Sequence, residues 1–276
     1  MSLNTVLLFS IVFIAGATFL ALENRILDFM KQKNLVRQNY AGNQVLGSGG
    51  LLFLIPCLLA SFPSFLINPS PVMPLYVIMM PTLAFCGMLD DLLGDSSSKG
   101  LAKHIEIFIK GNFTTGIMKA LTGSIIGLLL AWLRYKGLIF LILDTFLFAL
   151  AVNFINLLDL RPGRAIKSFV IIIILITVST CFSEIQYILP ALTVLIFYTR
   201  GEMREIYMLG DTGANLLGGI LGFYVVLTLR PVIKGLLLVL FLSLHIFAEF
   251  HSLSKKIEGI PFLKKIDMLG RKQSDR

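Results

Sequence analysis

Four aspartates define the chemistry open to this chain. Asp90 and Asp91 stand together at the end of one long apolar segment, Asp159 ends another, and Asp211 opens a third. Carboxylate oxygens are hard ligands that suit Mg2+ and, through it, phosphate. Neighbours on a helix diverge by about 100°, so Asp90 and Asp91 cannot face one partner together. One can hold a metal while the other acts as base or orients a partner; the bland alternative is a solvated helix end. Asn153, Asn156 and Asp159 recur every three residues and share roughly one helix face. Two amides and a carboxylate on an otherwise apolar helix are costly in lipid and are expected to line a cavity. Pro162 and Gly163 then turn the chain between Arg161 and Arg164, which either grip phosphate as bidentate donors or mark the inner membrane surface. The third group runs Met208-Leu209-Gly210-Asp211-Thr212-Gly213-Ala214-Asn215, followed by Gly218-Gly219. Asp211 is an ordinary N-cap candidate, and its flanking glycines would let a ligand approach the backbone. A helix N-terminus favours phosphate, and Asn215 lies one turn beyond Asp211 on the same face.

The elements that must position these residues are membrane helices. The chain of 276 residues is 56% hydrophobic and only 14% charged, with too few charges to cover a soluble core. Its mean hydropathy is +0.85. Apolar runs of about 20 residues, the length that spans a bilayer as a helix, recur throughout. They predict an all-α, polytopic integral membrane helical bundle of about nine transmembrane spans. These are 3–22, 46–67, 72–91, 116–134, 137–158, 164–182, 184–199, 212–230 and 235–252. The whole of 1–276 reads as one domain with a basic tail at 253–276. The first segment lacks the basic start of a signal peptide and reads as a span. Cys57, Cys86 and Cys181 have no paired spacing and read as small core residues. Residues 100–110 space Leu101, Ile105, Phe108 and Ile109 as a short amphipathic helix, interfacial or packed on the bundle.

Orientation follows from Lys and Arg. With the N-terminus outside, only Arg134, Lys136, Arg230 and Lys234 of the 24 fall on the outer side. The chain therefore reads N-out and C-in, and all four aspartates reach the cytoplasmic face. The net charge of +8 is loop charge of this kind and does not point to nucleic acid.

Taken jointly, the motifs resemble those of the membrane-bound polyprenyl-phosphate sugar-1-phosphate transferases of glycosyltransferase family 4. These include phospho-N-acetylmuramoyl-pentapeptide transferase and the polyprenyl-phosphate N-acetylglucosamine-1-phosphate transferases. The matching stretches are Gly49-Gly50, Gly87-Met88-Leu89-Asp90-Asp91, Asn153 through Asp159, and Met208 through Gly213, in family order. The resemblance implies transfer of a sugar-1-phosphate from a UDP-sugar to a polyprenyl phosphate such as undecaprenyl phosphate, with release of UMP. Mg2+ is the implied cofactor, with Mn2+ as a substitute, and the implied setting is the cytoplasmic face of the cell membrane during envelope glycan synthesis. Carried over, Asp211 is the metal ligand, joined by Asp91. Asp90 and Asp91 are the essential pair at the lipid phosphate, and Asp90, Asp91 and Asp211 form the catalytic set. Asn153, Asn156, Asp159, Arg161, Arg164 and Asn215 make up the substrate cleft. A homodimer is left open.

The chain also departs from the family. Its members carry a histidine-rich motif in a last inner loop followed by another span; here only His104, His245 and His251 occur, and no tenth span follows. Asn43 and Gln44 stand where a lysine often precedes the paired glycines, and Pro162 stands at the usual second acid. These departures argue against the peptidoglycan pentapeptide substrate. They keep a non-catalytic relative, binding a lipid-linked sugar or a partner protein, as the rival reading. A transporter ranks last, because its carboxylates would sit near the bilayer midplane. Asp144, inside the fifth span, is the residue that such a transporter would need.

Overall fold

The computed structural model describes residues 2–94, 107, 109–111 and 114–271. Most of the amphipathic segment expected at 100–110 lies outside them. The apolar runs fold as helices: α1 (Leu3–Gln32), α2 (Leu51–Ile67), α3 (Met73–Leu93), α4 (Thr115–Leu133), α5 (Leu138–Leu158), α6 (Arg164–Ser179), α7 (Leu189–Met203), α8 (Gly210–Thr228) and α9 (Pro231–Phe250). Two short helices, α10 (Leu253–Glu258) and α11 (Pro261–Met268), complete the C-terminal segment. A small antiparallel hairpin, β1 (Val36–Gln38) and β2 (Gln44–Leu46), pairs Val36 with Leu46.

Among the described residues, α1, α3, α4, α5, α8 and α9 are long and apolar enough to cross a membrane. The second, sixth and seventh expected spans form helices of 17, 16 and 15 residues, at or below the usual crossing length. Each is shortened for a local reason. Residues 46–50 are drawn into backbone pairing with Tyr207–Leu209, so α2 starts only at Leu51. Gly163 at φ +70 starts α6, and Cys181, Phe182 and Glu184, all at positive φ, separate α6 from α7. A 3-10 turn (Ile185–Tyr187) then leads into α7. In contrast, α1 runs ten residues past the expected end at 22, carrying Glu23 and Arg25 beyond its apolar part.

At the centre stands α8, whose apolar window is 89% buried. Helix packing in lipid gains little from hydrophobic exclusion and depends on close van der Waals approach, which small residues permit. Gly218 packs against the α5 backbone, so a Cβ there would lie 2.6 Å from Val152 Cα and 2.8 Å from Ala151 O. A Cβ on Gly219 would lie 2.2 Å from the Leu83 side chain of α3. Towards the other end, Tyr76 of α3, Tyr187 and Phe223 of α8 pack ring against ring at 5.0–5.3 Å. Helix α9 lies at the periphery, with 11% of its apolar window buried. It is tied to α5 by the Phe154–Phe241 stack at 4.5 Å and by the Lys234–Asp144 ion pair at 2.8 Å. Asp144 is thus partnered within the bundle.

Gly218→Ala should therefore push α8 away from α5 and destabilise the bundle by about 1–3 kcal/mol. Gly235→Ala on α9 has no atom within 4 Å of the added Cβ and should be tolerated. Thermal unfolding of both variants in detergent checks the contrast; equal melting temperatures would contradict the close α5–α8 contact.

Candidate functional site

Asp91 organises one end of the bundle. Helix α8 has no side-chain cap of its own, and its first amides are met by the Asp91 carboxylate arriving from α3. Oδ1 of Asp91 accepts from the Asp211 amide at 3.0 Å and Arg37 Nη1 at 2.8 Å. Oδ2 accepts from the Thr212 amide at 3.1 Å, the Thr212 hydroxyl at 2.6 Å and the Ser48 hydroxyl at 2.9 Å. Five donors fill the lone pairs of a carboxylate that has about four acceptor sites. The Asp91 side chain is 1% exposed. Asp211, which the sequence offered as the N-cap, instead lies inside the first turn, and Asp91 caps the helix from outside.

The motif glycines explain how α2, α3 and α8 come this close. The Gly49 and Gly50 amides donate to the Met208 and Leu209 carbonyls at 2.9 and 3.1 Å. A Cβ on Gly50 would lie 2.2 Å from the Gly213 amide nitrogen, and one on Gly87 would lie 2.2 Å from the Asp211 carbonyl. Gly210 adopts φ +67, with the Asp91 carboxylate 2.8 Å from where its Cβ would be. The space beside these glycines is therefore filled by protein backbone and Asp91, not left open for a ligand.

With Asp91 turned to α8, Asp90 faces the other way round the helix, towards α4. Lys119 in the first turns of α4 donates to Asp90 Oδ2 at 2.8 Å and to Asp211 Oδ1 at 3.2 Å. The three side chains are 18%, 21% and 12% exposed for Asp90, Asp211 and Lys119, so ligand atoms can reach them. Asp159 follows α5 at the same end, partly buried, and accepts from the Gly210 amide. Burial, together with the nearby Glu202, Asp211 and Asp91 carboxylates, pushes its pKa well above the usual range. Glu202 at the end of α7 is itself buried and accepts from the Gly163 amide at 2.7 Å. Five acidic groups thus gather around the start of α8, faced by Lys119 and Arg37.

The remaining expected residues divide. Asn215 is fully buried on α8, and neither of its amide atoms has a partner among the described residues. Asn156 is partly buried and Asn153 is exposed, so the threefold spacing on α5 does not bring all its polar groups inside. Arg164 is 4% exposed and gives both branches of its guanidinium to Asp267 of α11, at 2.8 and 2.9 Å. Arg161 pairs with Glu258 at 3.1 Å and lies 4.2 Å over the Tyr40 ring. With Lys264 and Arg271 it borders a cavity of about 270 Å³.

Lys119 and Glu202 went unrecognised as site residues. The signal for Lys119 was its charge a few residues inside an apolar segment, where an ionisable group is expensive. Glu202 had only its place at the end of such a segment. Among the described residues no cluster of three or more His, Cys, Asp or Glu side chains is arranged to hold a metal. Mg2+, however, is commonly held by one or two carboxylates plus substrate phosphates, a donor set that Asp90 and Asp211 fit. No protein-family model matches the chain, and no curated protein matches it.

Two outcomes follow from this geometry. Asp91→Asn leaves the buried α8 amides and Arg37 without their anion and should destabilise the protein by about 3–5 kcal/mol. Asp90→Asn, whose Lys119 partner keeps Asp211, should cost much less; thermal unfolding of the two variants compares them. Asp159 binds its proton more tightly in the native state than in the unfolded chain, whose value is about 4. Native stability should therefore fall as pH rises from about 4 through the raised value. Asp159→Asn should flatten that slope and be at least as stable at neutral pH, as unfolding measured across the pH range would reveal.

Proposed function

We propose that this protein is a membrane transferase that moves a sugar-1-phosphate from a UDP-sugar, of the N-acetylhexosamine type, to a polyprenyl phosphate. The observation that carries the reading is the meeting of Asp90, Asp211 and Lys119, from three different helices, at one end of an apolar bundle. An acid-rich group at a bilayer boundary suits a reaction between a lipid phosphate and a water-soluble nucleotide diphosphate. The Lys and Arg distribution supports a cytoplasmic-facing site in the cell membrane.

In this reading Asp90 and Asp211 would hold Mg2+, or Mn2+ in its place. When bound, the ion supplies charge neutralisation on the diphosphate and stabilises the departing UMP. Lys119, already poised between the two carboxylates, turns its ammonium to incoming phosphate oxygens. The lipid phosphate, whose second pKa is about 6, arrives largely ionised at neutral pH, and its oxygen would attack the donor phosphorus as the bond to UMP breaks. Asp91 acts through position: it holds the start of α8, and so Asp211, in register. Asp159 and Asn156 line the donor side, with Arg161 at its rim; Asn215, fully buried on α8, makes no direct contact. Arg164 supports the cleft through Asp267 and makes no substrate contact.

A second reading is favoured by one observation. Lys119 bridges Asp90 and Asp211 as an internal counterion, which is the arrangement a non-catalytic lipid-sugar binder could retain.

Purified protein in detergent, given undecaprenyl phosphate, Mg2+ and a panel of UDP-N-acetylhexosamines, should release UMP. Asp211→Asn should lower the rate by about a hundredfold or more, the scale of losing one charge-stabilising group. Binding of either substrate without UMP release would support the non-catalytic reading instead.

A further inference from the structure

The C-terminal segment has a surface suited neither to water nor to a packed core. Two anchors set its height on the bundle. One is its exit from α9, where the apolar run ends at Phe250. The other is Asp267 of α11, buried against Arg164 at the first residue of α6, with Arg271 donating to it at 2.7 Å. Lys167 of α6 adds bonds to the Ile266, Asp267 and Leu269 carbonyls at 3.1, 2.5 and 2.9 Å. Both anchors are ends of apolar helices, the level at which a helix crossing a bilayer would reach the headgroups.

Away from Asp267 the segment is exposed. Phe250 is 77%, Phe262 70% and Leu269 59% exposed, with Ile260 and Leu263 partly so. Lys255, Lys256, Lys264 and Lys265 are interleaved with them and are also exposed. The apolar surface continues that of α9, whose Val232, Leu236 and Val239 face outward from the bundle. Large apolar groups alternating with lysines on short helices beside the end of an apolar span are the features of an interfacial anchor. Clustered lysines at that level draw the headgroups of anionic lipids.

We propose that α10 and α11 form an interfacial strap that binds anionic phospholipid headgroups through Lys255, Lys256, Lys264 and Lys265, with Phe262 and Leu269 seated among the acyl chains. The strap is clamped to the α5–α6 turn through Arg161–Glu258 and Arg164–Asp267. Lipid charge would therefore bear on the turn that carries Asp159. The inference does not depend on the transferase reading.

The test uses the full chain with its single tryptophan removed (Trp132→Phe) and a reporter at Phe262→Trp, or at Leu269→Trp should the first not fold. It is reconstituted in vesicles of brominated phosphatidylcholine, with and without phosphatidylglycerol. Brominated chains should quench the emission, about twofold more strongly with phosphatidylglycerol present. Replacing Lys255, Lys256, Lys264 and Lys265 with Gln should abolish that difference. Quenching by aqueous iodide with none by brominated lipid would overturn the proposal in favour of a water-facing segment. Protection from both quenchers would overturn it in favour of a second copy or another protein covering the strap. Quenching that ignores both the anionic lipid and the lysine substitutions would overturn headgroup recognition.

Discussion

A helix that starts inside an apolar bundle presents amide groups that water cannot reach, and α8 starts in this way at Gly210. The Asp91 carboxylate answers that constraint. It is stabilised by two amides, two hydroxyls and Arg37, and by the positive end of the α8 dipole. Because it comes from α3, and Ser48 and Arg37 come from the segment around the hairpin, a single buried anion joins three parts of the chain. The arrangement of the rest of the site follows. Once Asp91 turns to α8, the adjacent Asp90 must turn roughly 100° away, and it meets Lys119 of α4 there.

Close backbone approach is the condition under which this cap can form. Gly49, Gly50, Gly87, Gly210 and Gly213 stand where any side chain would strike a neighbouring main chain or the Asp91 carboxylate. Farther along α8, Gly218 and Gly219 continue the same tight contact with α5 and α3. The glycines that look like a ligand cradle in the sequence are thus used first to seat a helix among helices.

Charge is also sorted across this end of the molecule. Asp90, Asp91, Asp159, Glu202 and Asp211 surround the start of α8, whereas Arg161, Arg164, Lys167 and Arg271 surround the α5–α6 turn and the C-terminal segment. The acidic side suits a cation, and the basic side keeps Asp267 below the usual carboxylate range despite its burial, which alone would raise it. The proposed reaction needs both characters within one cleft, since a diphosphate must be neutralised while its leaving group is held.

The sequence by itself determined the helical membrane-type architecture, because apolar runs of bilayer length leave few alternatives for satisfying their backbones. It also placed the four aspartates at the ends of apolar segments, since a charge within such a run is expensive. It could not distinguish which aspartate would cap a helix and which would remain accessible, because Asp90 and Asp91 are chemically identical neighbours. It likewise left Arg164 free to bind a phosphate, where the fold binds it to Asp267, 103 residues away. Lys119 became a site residue only when α4 was brought beside α8, and Glu202 only when the α5–α6 turn met the end of α7. Those assignments are long-range contacts, decided by how helices pack and which buried charges find partners, and no local spacing encodes them.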